Sequence, residues 1–179
     1  SLSICLLFLC DLNKFGIVFC HQNATFHIKT ATTNHRLTGH LMKLTIEKLP
    51  QLSAQDKIDL GKIWQDSEYQ MALTAPITTE HALFVARFNG RLLAACRIKY
   101  QAKTALISDF MVREVTRRRG VGHYLLTQCL EKNPTITHWQ ALLKTGQIND
   151  PVAQAFLAHH HFTTSLQADT YDYLCNDKA

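Results

Sequence analysis

From Met42 onward, hydrophobic and polar positions alternate with period two: in "MKLTIEKLP", Leu44 and Ile46 fall on one face and their polar neighbours on the other, as in a half-buried strand. The period then lengthens. Ser53 and Asp56 have the spacing of a capping box, and Leu60, Ile63 and Trp64 share one side of the helix that follows. "LTAPITTEH" has no period and contains Pro76, so it is expected to be loop. "LFVARFNGRLLAACRIKY" holds two apolar runs separated by Asn89-Gly90, a dipeptide that accepts the two positive φ angles of a type I′ turn, and a hairpin is predicted. "TALISDFMV" is a further strand, and its partly continuous apolar run suits a central position covered on both faces.

Helical spacing returns with Val121, Tyr124, Leu125 and Cys129, and Asn133-Pro134 closes that segment. "THWQALLK" reads as a strand, "DPVAQAFLAHHHF" as a helix capped by Asp150 with Pro151 at its first position, and "TYDYLC" as a last alternating strand. The pattern predicts an α/β domain over residues 42–179.

Residues 1–41 differ. "SLSICLLFLCDLNKFGIVFCHQ" is apolar, but Asp11 and Lys14 interrupt it, no basic stretch precedes it and no small-residue cleavage site follows. The uninterrupted run "LSICLLFLC" is too short to span a bilayer. This segment is expected to be an appendage outside the domain, translated from upstream of the true start, with a membrane-adhering leader as the alternative reading; no membrane partner is expected for the domain itself.

Composition narrows the function classes. A chain of 179 residues, 46% hydrophobic and 18% charged, suits one globular domain, and a formal charge of +5 does not by itself call for nucleic acid or a membrane surface. The six cysteines show neither a CxxC pair nor a metal-like cadence, which fits a reducing cytoplasm; Cys96 and Cys129 lie within apolar runs and read as core. Trp64 and Trp139 read as core too. Consecutive His159, His160 and His161 on a helix point in different directions, so a solvated helix end is expected there and no metal site.

The informative charge is local. "DFMVREVTRRRGVGHYLLTQCLEKNP" places Arg117, Arg118, Arg119, Gly120 and Gly122 between a strand and the start of an amphipathic helix. A helix N-terminus presents unpaired N–H groups and a partial positive charge; glycine lets that backbone approach a ligand, and the arginines add full charges. Together they build a phosphate site. A dinucleotide fingerprint would need a third glycine where Leu125 stands, and a P-loop would need Gly-Lys-Ser/Thr where the chain has Gly122-His123-Tyr124. A nucleic-acid patch would want aromatic platforms or a second basic cluster, and neither accompanies the arginines.

The order of elements with "RRRGVG" resembles the GNAT acyl-CoA-binding superfamily, whose Arg/Gln-x-x-Gly-x-Gly/Ala turn grips the coenzyme A diphosphate; Arg117, Gly120 and Gly122 match it. "MKLTIEKLPQLSAQDKIDLGKIW", "ARFNGRLLAACRI" and "VREVTRRRGVGHYLL" are further similar to its PanZ/PanM branch. The resemblance implies a mixed central sheet flanked by helices that binds acetyl-CoA or coenzyme A. It also implies a partner, aspartate 1-decarboxylase in its precursor and mature forms: the branch promotes the self-cleavage that forms the pyruvoyl group and restrains β-alanine synthesis when coenzyme A is abundant. Phe110, Met111 and Val112 are then expected along the pantetheine, chiefly through their backbone, with Arg117, Arg118, Arg119, Gly120, Val121, Gly122 and His123 around the diphosphate and Asn89 facing the partner. The alternative is an active N-acetyltransferase acting on a small amine or a protein amine. In many such enzymes a Phe-Tyr pair supplies the acid, where this chain has Phe156-Leu157. Tyr171 or Tyr173 as acid, and Asp109, Glu114 or His123 as base, are the substitutes, but none stands in a recognisable acid/base pattern, and no catalytic residue is assigned.

Overall fold

The computed structural model describes residues 17–18, 27–28, 43–65, 69–144, 147 and 150–175. The chain divides into two compact units, Ser1–Leu44 and Thr45–Ala179. In the first, β1 (Ile17–Val18) pairs antiparallel with β2 (His27–Ile28). Cys5, Cys10, Cys20 and most of the 1–41 segment lie outside the described residues.

The second unit carries a seven-stranded sheet in the order β3-β4-β5-β6-β7-β9-β8. β3 (Thr45–Leu49), β4 (His81–Phe88), β5 (Arg91–Gln101) and β6 (Thr104–Val112) are successively antiparallel. β7 (His138–Leu142) then pairs parallel with β6. β9 (Thr170–Leu174) lies antiparallel between β7 and the short β8 (Thr163–Thr164). The expected mixed sheet is therefore present, with the strand "TALISDFMV" fourth of seven.

Among the described residues, its α-helices include α1 (Ala54–Ile63), α2 (Gln70–Thr74), α3 (Val121–Glu131) and α4 (Pro151–His159). Ser53 caps α1 in the predicted box with Asp56, and the Asp150 side chain accepts from Val152 N–H at the start of α4. Leu60, Ile63 and Trp64 pack on Leu83, Val85, Leu92 and Ala95 of the sheet. Cys96, the next residue along β5, points to the opposite face, where its Sγ lies 3.9 Å from that of Cys129 in α3. Helices thus cover both faces, and burial on this scale is what makes the sheet stable. Among the described residues, no helix is long and apolar enough to cross a membrane.

Two expectations need correction. α2 begins before the stretch expected to be loop and takes in its first two residues, Leu73 and Thr74, ending just before Pro76; its five residues are too few to show a period. Arg97 holds it from the sheet: the buried guanidinium donates to the carbonyls of Ala72 at 2.8 Å, Ala75 at 2.7 Å and Pro76 at 3.3 Å, satisfying orphan groups at the helix C-terminus. The second correction concerns the histidines after α4. His160 is half-buried rather than solvated, because its ring packs on Phe156 with centroids 4.7 Å apart.

Candidate functional site

Parallel pairing of β6 with β7 runs from Thr104↔His138 to Ile107↔Ala141 and stops. Beyond it β6 continues to Val112, so the two strands part and leave a cleft at the C-terminal end of β7. A β-bulge in β6 lies at the same level. Cys96 alone opposes Asp109 and Phe110, and Asp109 takes the left-handed φ of 53° that such a bulge accommodates. Three contacts fix the bulge: Trp64 Nε1 donates to the Asp109 carbonyl at 2.8 Å, Ser108 Oγ donates to Asp109 Oδ2 at 2.9 Å, and Lys144 Nζ lies 2.9 Å from Asp109 Oδ1.

Strand parity decides which backbone faces the cleft. The Arg113 N–H donates to the Leu93 carbonyl on the β5 side at 2.8 Å, so Met111 and Arg113 belong to that ladder. Phe110 and Val112 point the other way: the Phe110 carbonyl accepts from Gln147 Nε2 at 3.4 Å and the Val112 carbonyl from Arg117 Nε at 3.2 Å. Of the three strand residues expected along a pantetheine, Phe110 and Val112 present backbone to the cleft. Met111 presents its side chain, which Arg117 touches at Sδ, 3.4 Å away.

After β6 comes a short 3₁₀ turn, Glu114–Thr116, then the three arginines, all exposed. Arg118 has φ 60° and Gly120 φ 74°, so two residues of the turn take left-handed backbone before α3 begins. Gly120 is the N-cap of α3 and offers no side-chain cap. The first helical bond runs from Tyr124 N–H to the Gly120 carbonyl, so the amides of Val121 and Gly122 precede the hydrogen-bonded ladder. A Cβ on Gly122 would lie 3.1 Å from Val112 Cγ2, 3.6 Å from Phe110 and 3.7 Å from Phe156, all of which wall the cleft. A side chain here would need the Val112 methyl to give by a few tenths of an ångström, so the close packing favours glycine.

The resulting cavity measures about 760 Å³. Phe110, Met111, Val112, Arg117, Arg118, Gly120, Val121, Gly122 and His123 all line it, whereas Arg119 does not. Asn89 lies elsewhere, at the tip of the β4–β5 hairpin. It has φ 48°, Gly90 has φ 73°, and Phe88 pairs with Arg91, which is the predicted two-residue turn.

That tip is anchored to α1 by an arginine on each side. Arg87 bonds Glu47 at 2.9 Å and Asp56 at 3.0 Å. Arg91 bonds Asp59, whose fully buried carboxylate also accepts the Leu92 N–H at 3.1 Å. The Arg91 hydrogen bonds, opposed by burial and assisted by the Leu92 amide, hold the Asp59 carboxyl down at about 2.

Sequence reasoning missed several cavity residues. Tyr69, at the start of α2, is almost wholly buried in the wall and lies under Lys144 Nζ, 5.6 Å from its ring centroid. Asp150, the predicted cap of α4, lines the cavity as well. Phe156 closes the outer wall against Phe110, with ring centroids 5.4 Å apart. Of the proton-transfer substitutes, Tyr171, Tyr173, Asp109 and Glu114 are not among the lining residues; Tyr173 stacks on Phe162 instead, 5.3 Å between centroids. A shallower depression of about 630 Å³ near Lys48, Tyr100 and Asn133 has no helix N-terminus or free strand edge. Among the described residues, no group of His, Cys, Asp and Glu is arranged to hold a metal ion.

Comparison with known proteins agrees with this geometry. Residues 43–171 match the family model described as acetyltransferase (GNAT) domain, PanZ. The PanD regulatory factor of Salmonella typhimurium is 42% identical over 122 residues, covering 68% of this chain and 93% of the relative. That of Escherichia coli K12 is 43% identical over 122 residues with the same coverage. The solution NMR structure of the E. coli protein YhhK bound to coenzyme A superposes with a TM-score of 0.63 at 38% identity, covering 75% of this chain and 100% of that one.

Proposed function

This chain belongs to the PanZ family of GNAT acetyltransferase domains, and on that premise we propose that it is a coenzyme A-responsive regulator of aspartate 1-decarboxylase. Kinship with the two PanD regulatory factors, over nearly their whole length, is the observation that carries the reading. The chain binds acetyl-CoA or coenzyme A in the cleft beside β6. The diphosphate meets the amides of Val121 and Gly122 with Arg117 and Arg118 alongside, and the pantetheine runs along the cleft-facing backbone of Phe110 and Val112. To do so it displaces the Gln147 side chain from the Phe110 carbonyl.

The loaded protein engages the decarboxylase through a surface that includes the hairpin tip at Asn89. Engagement favours the self-cleavage of the precursor that yields the pyruvoyl group, and restrains the matured enzyme when coenzyme A is abundant. Arg87 and Arg91 hold the tip against α1 before any partner arrives, which lowers the ordering cost of docking.

The test is co-purification with the decarboxylase precursor, with and without acetyl-CoA, followed by mass measurement of the precursor's cleavage. A ligand at about 100 times its dissociation constant stabilises the bound form by ~2.7 kcal/mol, which can strengthen partner binding up to roughly 100-fold if only that form is recognised. The decarboxylase then tightens coenzyme A binding by the same factor. Partner affinity that ignores the ligand would refute the gating. A transferase reading draws on one feature, the tyrosine at position 69 in the cavity wall. It predicts turnover of acetyl-CoA with an amine panel, at a rate that falls in Tyr69→Phe.

A further inference from the structure

Asn89 is the one asparagine of this chain that is followed by glycine, and the fold sets the pair at the tip of the β4–β5 hairpin with both residues exposed. A Cβ built on Gly90 would meet nothing within 4 Å, so no neighbouring group crowds that backbone, and among the described residues no hydrogen bond engages the Asn89 side chain. Asn133 is the contrast. Its side chain is half-buried, donates to the Cys129 carbonyl at 2.7 Å and accepts from the Tyr100 hydroxyl at 2.9 Å, and Pro134 after it has no N–H. Attack of a backbone nitrogen on the preceding side-chain amide therefore has both reactants free at Asn89 and neither at Asn133. The turn itself is the obstacle. Asn89 and Gly90 take φ of 48° and 73°, as in a type I′ turn, whose first central residue has ψ of roughly +30°. A five-membered ring between the Gly90 nitrogen and Asn89 Cγ needs that ψ rotated well away, so the tip must first open. Arg87 on Asp56 at 3.0 Å and Arg91 on Asp59 at 3.0 Å hold it closed. The rate of ring closure then depends on how often these anchors let the tip open.

We propose that Asn89 is a site of spontaneous self-modification, paced by opening of the anchored tip, whose conversion retires the tip as a docking surface. In the open tip the Gly90 nitrogen loses its proton to solvent and attacks Asn89 Cγ. A C–N bond forms, the side-chain nitrogen takes up a proton and leaves as ammonia, and a succinimide remains. Water then adds to either ring carbonyl and one ring C–N bond breaks, giving aspartate or isoaspartate. The balance is one water in and one ammonia out, with no oxidant or metal. Aspartate keeps the hairpin, because Asp-Gly also suits a type I′ turn, and adds a negative charge at the tip. Isoaspartate lengthens the main chain of the two-residue turn by a methylene and disturbs the register that pairs Phe88 with Arg91. The consequence for docking rests on the tip facing the decarboxylase; the modification itself does not.

The full chain is incubated at about pH 8 and 37 °C, and peptide mass mapping follows each asparagine with time, beside the urea-unfolded chain, Asp59→Ala and Asn89→Gln. A gain of about one mass unit is expected in the peptide that holds Asn89. It is expected fastest in the unfolded chain and at least roughly fivefold faster in Asp59→Ala than in wild type, because the Arg91 anchor is gone. Asn89→Gln is expected to lose it, since the longer side chain would have to close a six-membered ring. A folded wild type whose Asn89 stays intact while the unfolded chain converts overturns the proposal, as does faster conversion at Asn133. Equal rates in wild type and Asp59→Ala overturn the pacing by the anchors. Asn89→Asp, the product with an unchanged backbone, is then measured against the decarboxylase precursor with acetyl-CoA present. Binding roughly tenfold weaker than wild type is expected from the unpaired charge. Full affinity in Asn89→Asp overturns the docking role of the tip, while the mass gain at Asn89 still establishes the modification.

Discussion

Truncating Asp59 tests how the hairpin tip is held. The carboxylate is fully buried on α1 and accepts from Arg91 Nε at 3.0 Å, from Leu92 N–H at 3.1 Å and from Gln55 Nε2 at 3.2 Å. In Asp59→Ala the Leu92 amide, itself buried, loses its acceptor, which costs about 1–3 kcal/mol. The Arg91 side chain is 44% exposed and recovers water, so the broken ion pair adds little, and the total is about 2–3 kcal/mol. Asp59→Asn retains an acceptor oxygen for Leu92 and is expected to cost about 1 kcal/mol. At roughly 3–6 °C per kcal/mol for a domain of this size, Asp59→Ala melts about 10 °C below wild type at neutral pH.

The pH dependence gives an independent reading. The Asp59 carboxyl is depressed from 3.8 to about 2, so its contribution is complete above pH ~4 and is lost as pH falls towards 2; it amounts to at most ~2 kcal/mol, because the arginine partner is solvated. The melting gap between wild type and Asp59→Ala should therefore be constant from pH 7 to about 5 and narrow below 4. Coenzyme A affinity should change little, while affinity for the decarboxylase falls as the tip loosens. Ala and Asn variants that melt together with wild type, or a gap that persists unchanged into acid, would refute this account of the anchor.

Three further outcomes are expected. Gly122→Glu abolishes coenzyme A binding by calorimetry, because the new side chain starts 3.1 Å from Val112 Cγ2 and fills the cleft with a like charge; wild-type affinity in this variant would move the ligand elsewhere. Arg117→Ala weakens binding by about 1–3 kcal/mol, as for a charge-assisted contact, and leaves the melting temperature near wild type because the side chain is exposed. A chain of residues 42–179 melts cooperatively and binds coenzyme A like the full one; failure to fold would make the preceding segment part of the domain.

Strands and long helices are readable from this sequence wherever period and punctuation coincide. Asn89-Gly90 between two apolar runs gives the hairpin, Ser53 with Asp56 gives the start of α1, and Asp150-Pro151 gives the start of α4. Arg117, Gly120 and Gly122 mark the basic turn because a phosphate site at a helix start needs charge and backbone access together. What stays hidden has tertiary causes. The bulge at Asp109 is a single left-handed residue and leaves no pattern. Tyr69 belongs to a helix too short to show a period, fixed from the sheet by Arg97 twenty-eight positions later. The histidine cluster exists because α3 and α4 meet at the mouth of the cleft, and nothing in "AHHHF" alone indicates that His123 lies 4.8 Å from His160.

The two candidate surfaces share one short stretch of β5. Asp59 fixes Arg91 and Leu92 immediately after the Asn89-Gly90 turn, and the next residue, Leu93, accepts the Arg113 N–H that begins the basic turn. Thr116 Oγ1 donates to the Arg113 carbonyl at 2.8 Å, and Arg117 N–H to the Glu114 carbonyl at 3.1 Å, so the turn hangs from the strand end that carries the hairpin tip. Adjacency alone does not couple two sites; coupling needs a segment with two arrangements that the ligand binds unequally. The basic turn is suited to that role. Its arginines are exposed, it places the non-glycine Arg118 in the left-handed region, and the four groups that would meet the diphosphate, Arg117, Arg118, Val121 and Gly122, lie within it or just after it. A diphosphate that holds Arg117 and Arg118 in one arrangement also bears on Arg113 and, through Leu93, on the base of the hairpin. The same path runs in reverse, so a partner seated on the tip restrains the turn, and reciprocity between decarboxylase and coenzyme A affinity is its measurable consequence.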